Sequence, residues 1–462
     1  MFSRQVFFRN IRPWLLFATA ILALSAGSPL NAAAEPVSPE FQGVLIESLT
    51  ALWTGQEFSP ELKQRQETVK TMLTSGAVSK AELESLLEAS FLSIPNQHKT
   101  SRYILKDFPA RVNALLSPHM TWEEVKPILW QAMSSPARKD NPIQIRIGTL
   151  GPPGTPWINV PETIAIPEIE KLSDGKVLIK IYGGGVMGED TQVLRKMGAG
   201  QLDGCGCTAL GVLEASPDMS SLLLPGLFKN YKEVDFICEK FRKRLDKAFE
   251  DKGYVLVAII DTGYFYLFSK NKVAGLADLR KQKALTWFGA MENTFFQEMG
   301  ITAMPVSVPD IVSALSTGQA ETTMAPAAWM LGMQAYQYIS FYLQPPLLYS
   351  PSAVFISKDL VDRVRKQIGV SEIYAFNVQE ILVSEFIALE PEWNRQIRDY
   401  EEKSLKAFEG KCGMKAVTFS PEDQQAIEKA GKAVQQKLAG KVFPEDLMGD
   451  IQKSLEAYRA QH

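Results

Sequence analysis

Val273-Ala-Gly-Leu-Ala-Asp-Leu279, Ala284-Leu-Thr-Trp287, Ala303-Met-Pro-Val306, Ala314-Leu-Ser-Thr-Gly318 and Glu321-Thr-Thr-Met-Ala325 follow one another in the stretch from Val273 to Pro326. Ala284 to Trp287 and Glu321 to Ala325 read as short strands. A helical segment runs to Gly300 between them, Ala303 to Val306 forms a further strand, and a second helix ends at Gly318. Strand, helix, strand, helix, strand in so short a space is the order of an α/β sheet with parallel pairing.

The same order continues on both sides. Upstream, Ile143, Ile145 and Ile147 alternate with Gln144 and Arg146, the period of a strand. Val177 to Tyr182 reads as a second strand, and the continuous apolar run Tyr254 to Ile260 suits a strand covered on both faces. Helices are expected over Pro161 to Leu172 and Thr191 to Met197, and the C-terminal third is helical, with Pro391 expected to kink or break one long helix. Residues 141–462 therefore form one α/β domain.

Residues 35–140 read as helices only, about five. Phe41, Leu45, Ile46, Leu49 and Leu52 recur at helical spacing. Ser79-Lys-Ala-Glu82 and Thr121-Trp-Glu-Glu124 are capping boxes, and Pro60 after Ser59 opens another helix. No repeat of about 34 residues emerges. A Pro- and charge-containing linker, Ser134 to Pro142, separates this all-α domain from the α/β part. At the start of the chain Arg4, Arg9 and Arg12 precede an apolar run from Trp14 to Ala26 and the small residues Ala32-Ala33-Ala34. Residues 1–34 are read as a cleavable signal peptide, which places the mature protein in the periplasm. This region has no Cys, so no lipid anchor is expected, and no later segment offers the ~20 apolar residues of a membrane span.

Several function classes fall away. A formal net charge of -3 provides no basic stripe for nucleic acid. Gly148-Thr-Leu-Gly-Pro-Pro-Gly154 is followed by Thr155-Pro156-Trp157 rather than the Gly-Lys-Ser/Thr end of a phosphate loop, so it is read as a loop holding Trp157 toward a cleft. Gly183-Gly184-Gly185 is read as a turn. The three His are His98, His119 and His462, which leaves the body of the α/β part without a His-dependent base or triad. No catalytic residue, metal or cofactor is assigned, and the chain is read as a non-enzyme. Cys205-Gly206-Cys207 lacks the four ligands zinc normally takes and is read as small side chains lining a strand-to-helix turn. Glu189 and Asp190 are read as solvated or capping, and Asp203 and Asp261 as weak candidates for hydrogen bonding a ligand.

The stretch from Val273 to Pro326 resembles the substrate-binding proteins of tripartite ATP-independent periplasmic (TRAP) transporters, where the run reads Asp-Leu-x-Gly-x-Lys-Ile-Arg and then Ala-Leu-x-x-Gly-x-x-Asp-Gly. Ser173-Asp-Gly-Lys-Val177, Tyr182-Gly-Gly-Gly185, Met187-Gly-Glu-Asp190 and Gly200-Gln-Leu-Asp203 extend the resemblance over residues 143–458. It implies a two-lobe periplasmic-binding-protein fold, type II-like, with lobe crossings near 261–268 and 348–357. It also implies membrane subunits of the transporter as partners.

Three cleft positions depart from the family. Its carboxylate-clamping Arg falls on Leu285, a second cleft Arg on Phe265 in Asp261-Thr-Gly-Tyr-Phe265, and a cleft Asn on Ala325. A carboxylate closed into such a cleft without a guanidinium would lose several kcal/mol of solvation. A neutral hydrogen bond, at about 1 kcal/mol, does not offset that. An apolar chain instead gains about 0.8 kcal/mol per buried methylene. Large apolar residues gather in the segments expected to face the cleft: Tyr264, Tyr266, Trp287, Phe288, Trp329, Met330 and Met333. With Trp157, Cys207, Thr208 and Phe228 of Leu224-Pro-Gly-Leu-Phe228, these are the candidate ligand-binding residues. The reading is a solute-binding protein for an apolar or lipid-like, fatty-acid-like ligand. The alternative is a periplasmic lipid carrier or interaction module whose residues 35–140 dock a partner protein.

Overall fold

The structure is a computed structural model that describes residues 39–54, 58–75, 78–93, 108–116, 120–134, 140–286, 289–368 and 372–462. The expected signal peptide, residues 1–34, lies outside them. The chain divides into two compact units, residues 1–133 and 134–462.

The described part of the first unit is helical: Pro39–Thr54, Pro60–Thr74, Lys80–Ser93, Phe108–Leu116 and Trp122–Ser134. Their starts follow from local hydrogen bonding. The Leu62 N–H donates to Ser59 Oγ at 3.1 Å, and the backbone N–H groups of Ser79 and Thr121 donate to the carboxylates of Glu82 and Glu124 at 2.8 and 2.9 Å. On the first helix Phe41, Val44, Leu45, Ser48 and Ala51 are buried, the spacing of one helix face. The side chains of Ile46, Leu49 and Leu52 lie outside the description.

The described residues of the second unit include ten strands: β1 Ile143–Thr149, β2 Val177–Tyr182, β3 Gly204–Cys207, β4 Tyr254–Ser269, β5 Ala284–Thr286, β6 Ala303–Pro305, β7 Thr322–Pro326, β8 Phe341–Leu343, β9 Leu348–Ser357 and β10 Lys415–Val417. The main order is β2-β1-β3-β9-β4-β7-β5-β6, with β8 and β10 off this path. β1 runs parallel to β2 and β3, and β5 runs parallel to β6 and β7, as the alternation of strands and helices requires. The sheet is nonetheless mixed. β4 and β9 cross between the halves and return, so β3–β9, β4–β9 and β4–β7 are antiparallel. β4 stays paired to β9 from Tyr254↔Ser357 to Phe265↔Leu348, with register shifts between Leu256 and Ala258 and between Asp261 and Gly263. The lobe holding β1, β2 and β3 is called the first lobe below, and that holding β5, β6 and β7 the second.

Three details differ from the sequence reading. The strand expected from Glu321 starts at Thr322, because the Glu321 backbone N–H donates to the Lys283 carbonyl at 2.7 Å in the turn before it. The helix expected over Pro161 to Leu172 begins at Pro156 and passes through a π turn, Pro161–Ala165. Pro391 neither ends nor breaks its helix, which runs from Glu372 to Gly410. Beside the Pro, the Glu390 carboxylate accepts from the Ile259 N–H at 3.0 Å and pairs with Arg242 at 2.9 Å, holding the helix on β4.

The first-lobe sheet has two unlike faces. On one, a Cβ at Gly148 would lie 3.0 Å from Leu202 and Val193, so the helix Asp190–Gly198 sits directly on the strand. On the other stand Ile145 and Ile147 of β1, Ile179 and Ile181 of β2, and Val354 and Ile356 of β9.

Candidate functional site

Leu285, Phe265 and Ala325 are each fully buried. They come from adjacent strands: Tyr266 is opposite Ala325, Phe265 opposite Pro326, and Leu285 opposite Thr323. All three belong to the large apolar core of this unit, as do Leu150, Phe228, Tyr264, Tyr266, Trp329 and Met330, with Trp157 and Met333 packed half-buried against it; by register Leu285 and Ala325 share the sheet face of Tyr266, and Phe265 takes the other. Rings meet edge-on within it, Phe228 on Tyr349 at 5.5 Å between centroids and Tyr264 on Tyr231 at 4.9 Å. Trp287 and Phe288 lie outside the described residues.

The two lobes touch across this cluster. The Glu189 carboxylate caps the helix Asp190–Gly198 and also accepts from the Val308 N–H of the second lobe at 2.7 Å. A Cβ at Gly185 would lie 3.2 Å from Leu150 and 3.4 Å from Pro309, and one at Gly289 would lie 3.9 Å from Leu210. Glu189, read from the sequence as solvated or capping, thus also links the lobes.

The polar candidates serve the fold instead of facing a ligand. Asp203 is 2% exposed and pairs with Arg146 at 3.0 Å and Arg363 at 2.6 Å. Asp261 is 1% exposed, pairs with Arg398 at 2.6 Å and accepts from the Tyr349 hydroxyl at 2.6 Å. Arg398 also holds Asp235 at 2.6 Å and lies over the Tyr231 ring at 4.3 Å. Beside them the Tyr231 hydroxyl donates to the buried Glu401, which also accepts from the Tyr264 N–H at 3.2 Å. Gly263, with φ of 116°, sits where a Cβ would lie 2.9 Å from the Glu401 carboxylate, so glycine is required at this bend of the crossing strand.

Burial pushes the Glu401 carboxyl up to about 8, and nearby Asp261 adds to the rise, against the opposing hydrogen bonds of Tyr231 and Tyr264. A carboxyl raised on folding contributes stability that is present below its unfolded value and is lost as pH rises to the folded value. Stability is therefore expected to decline between about pH 4.5 and 8 through Glu401. Urea unfolding across this range checks it: Glu401→Gln should flatten the decline, and an unchanged slope would contradict the assignment.

Cys205 and Cys207 form a disulfide, so the sequence reading of them as two small side chains in a turn is corrected. Residues two apart on β3 point to the same face, which brings the sulfurs together. Asp190 lies next to them, its Oδ2 held by the Thr208 hydroxyl at 2.7 Å and the Gly211 N–H at 3.1 Å, and burial raises its carboxyl to about 7. These three side chains are grouped closely enough for a metal ion, but the bonded sulfurs are not thiolates and hold none in this state.

A groove lies between the isoleucine face of the first-lobe sheet and the long helix Glu372–Gly410, which contributes Leu382, Phe386 and Trp393. At the strand ends it reaches Leu150, Pro152, Trp157, Thr208 and Trp329. Its space open to a water-sized molecule is small, about 70 Å3. The candidates thus divide: Trp157, Thr208 and Trp329 line this groove, whereas Phe228 borders a separate cavity of about 710 Å3 with Lys229, Gln435 and Arg459. Arg459 is committed there to Glu233 at 2.7 Å and to the Leu227 carbonyl at 2.7 Å.

Residues 153–441 match the bacterial extracellular solute-binding protein family 7, DctP. The chain belongs to this family. The DctP fold accounts for the two lobes and crossing strands, and the match leaves the first, helical unit outside it. A TRAP periplasmic solute-binding protein from Citrobacter koseri, solved with bound D-glucuronate, is 18% identical with a TM-score of 0.59, covering 67% of this chain and 98% of its own. One from a Bradyrhizobium species, in complex with galacturonate, is 21% identical with a TM-score of 0.59 over 67% and 99%. One from Ochrobactrum anthropi, with its C-terminus bound in its ligand pocket, is 22% identical with a TM-score of 0.56 over 70% and 98%. The protein y4mM of Sinorhizobium fredii is 28% identical over 213 residues, and the matched stretch is 45% of this chain and 39% of that relative.

Sequence reasoning overlooked the groove of this DctP-family chain. The signal was present: Ile145 and Ile147 alternate with polar residues, and Ile179 and Ile181 do the same one strand away. Alternation identifies an apolar face, but not that the covering helix stands off from it.

Proposed function

We propose that the chain is the periplasmic solute-binding component of a TRAP-type transporter, and that its ligand is apolar or lipid-like. Closing of the two lobes about the crossing strands would enclose the ligand, and the membrane subunits of the transporter would receive it. The observation that carries the apolar reading is the complete burial of Leu285, Phe265 and Ala325 in one apolar cluster at the positions where the TRAP motif places polar side chains. An ionised carboxylate there would lose its hydration and meet no guanidinium at these three positions, a cost of several kcal/mol. A fatty-acid-like ligand avoids the cost by keeping its head at the cleft mouth. The proposed ligand differs from the D-glucuronate and galacturonate bound by the Citrobacter and Bradyrhizobium proteins.

The reading is tested on protein purified from its natural source without added ligand. Extraction with organic solvent followed by mass spectrometry is expected to release an alkyl-chain compound in about equal molar amount. A sugar acid or small dicarboxylate with no lipid would overturn the reading.

A second reading makes the protein a carrier or interaction module that docks a partner through residues 35–140. It is favoured by the family match beginning at residue 153, which leaves the helical unit outside the matched fold.

A further inference from the structure

We infer that Cys205, Cys207 and Asp190 form a metal site masked by the disulfide, and that the reduced pair takes a divalent cation of the zinc class. The inference concerns the first lobe and does not depend on what the cleft binds.

The Asp190 carboxylate is the observation that points to an ion. It is fully buried. Its Oδ2 is fixed by the Thr208 hydroxyl at 2.7 Å and the Gly211 N–H at 3.1 Å, whereas its Oδ1 has no hydrogen-bond partner. A buried acceptor left in this way costs about 1–3 kcal/mol, so it calls for a partner. Its neighbours are the two sulfurs: a carboxylate oxygen and both Sγ atoms all lie within 4.8 Å of one another.

The backbone explains why these groups meet. Cys205 and Cys207 stand two apart on β3, so both project from one sheet face, with their Cα atoms 5.3 Å apart. Asp190 begins the helix Asp190–Gly198, and Gly211 lies in the helix Ala209–Ala215. A Cβ at Gly211 would lie 2.7 Å from the Cys207 sulfur and 2.9 Å from the Asp190 Cβ, so glycine lets this helix close over both ligands. Glu189 and Leu210, which meet Val308 and Gly289 of the second lobe, are the chain neighbours of Asp190 and Gly211. The cluster therefore lies directly beneath the lobe contact, and parting of the lobes is its route to solvent.

The donor set selects the ion. Two thiolates and a carboxylate are ligand types that zinc takes, at about 2.3 Å for sulfur and 2.0–2.2 Å for oxygen, with a fourth position left open. Magnesium and calcium require oxygen ligands and are disfavoured by the sulfurs. Reduction comes first. A dithiol attacks one sulfur and the Cys205–Cys207 bond breaks; the pair takes up two electrons and two protons as two thiols, and the dithiol leaves as its own disulfide. The zinc ion then displaces both thiol protons to solvent and binds the two thiolates with the Asp190 carboxylate.

The test uses the full chain, untreated or reduced with dithiothreitol, freed of reductant under argon and titrated with zinc. The reduced protein is expected to bind about one zinc per chain and the oxidised protein none. X-ray absorption at the zinc edge should show two sulfur neighbours at about 2.3 Å and the remaining neighbours at about 2.0 Å. Asp190→Asn should lower the zinc affinity of the reduced protein at least about tenfold. Cys205→Ser combined with Cys207→Ser should abolish binding, although Cys238 and Cys412 keep their free thiols.

Equal zinc uptake by the oxidised and reduced protein would overturn the site, as would no uptake by protein in which the pair is shown to be reduced. Retention of zinc by the folded double variant would assign it to other groups and overturn the site as well. Fewer than two sulfurs around the bound zinc would do the same, a readout on the natural protein that stands even if the variants fail to fold. A pair that dithiothreitol leaves intact in the folded protein would also overturn it.

Discussion

Replacing Arg398 with Ala is expected to lower the stability of the α/β unit by about 3–5 kcal/mol, because it removes one partner of a buried ion pair and leaves the other charge without it. Asp261 is 1% exposed, and the Arg398 guanidinium is its charge partner at 2.6 Å. Without Arg398 it keeps the Tyr349 hydroxyl, a neutral donor that does not offset a buried carboxylate. The same guanidinium holds Asp235 and covers Tyr231, so the substitution also loosens the packing of the long helix on the helix Tyr231–Asp251. Guanidinium chloride unfolding checks this. A loss under about 1 kcal/mol, the size of an exposed pair, would show that the cluster does not hold the crossing strand.

Leu285→Arg is expected to have the second large effect. It places a guanidinium at a fully buried position within the apolar cluster. An uncompensated buried charge costs several kcal/mol. The variant should melt well below the natural protein and should lose affinity for an alkyl ligand by at least about 100-fold. Thermal unfolding and titration with dodecanoate check both parts. A variant that remains as stable as the natural protein and binds galacturonate would mean that the position is wet and needs only its charge to hold an acid.

These two sites show where sequence reasoning reached and where it stopped. The strand–helix alternation around Val273 to Pro326 was enough for the α/β fold, because period and turn residues are local signals. The family resemblance led to lobe crossings near 261–268 and 348–357, but the antiparallel pairing of β4 with β9 was not legible from local signals, since nothing in Tyr254–Ser269 states which strand it meets some hundred residues later. Pro391 misled for a related reason: its local cost is offset by the tertiary contacts of Glu390 with Arg242 and Ile259. Asp203 and Asp261 looked like cleft groups because they stand beside loops, whereas their partners Arg363 and Arg398 lie more than a hundred residues away. Leu285, Phe265 and Ala325 were found because a motif marks the positions, and the identity of a side chain at a marked position is a sequence fact.

The pairing of Cys205 with Cys207 follows from strand geometry once β3 is known, whereas Cys-Gly-Cys alone was read as small side chains in a turn. The groove required more than its isoleucines. Alternating Ile145, Ile147, Ile179 and Ile181 identify a face, and only the placement of Leu382, Phe386 and Trp393 opposite them makes a space.

The central claim is that the ligand is apolar and enters without an ion pair. Isothermal titration of lipid-stripped protein with dodecanoate and with galacturonate, side by side at low and high salt, tests it most directly. Dodecanoate is expected to bind at one site with an affinity that changes little with salt, and galacturonate is expected not to bind. Tight, salt-sensitive binding of galacturonate with no response to dodecanoate would contradict the account.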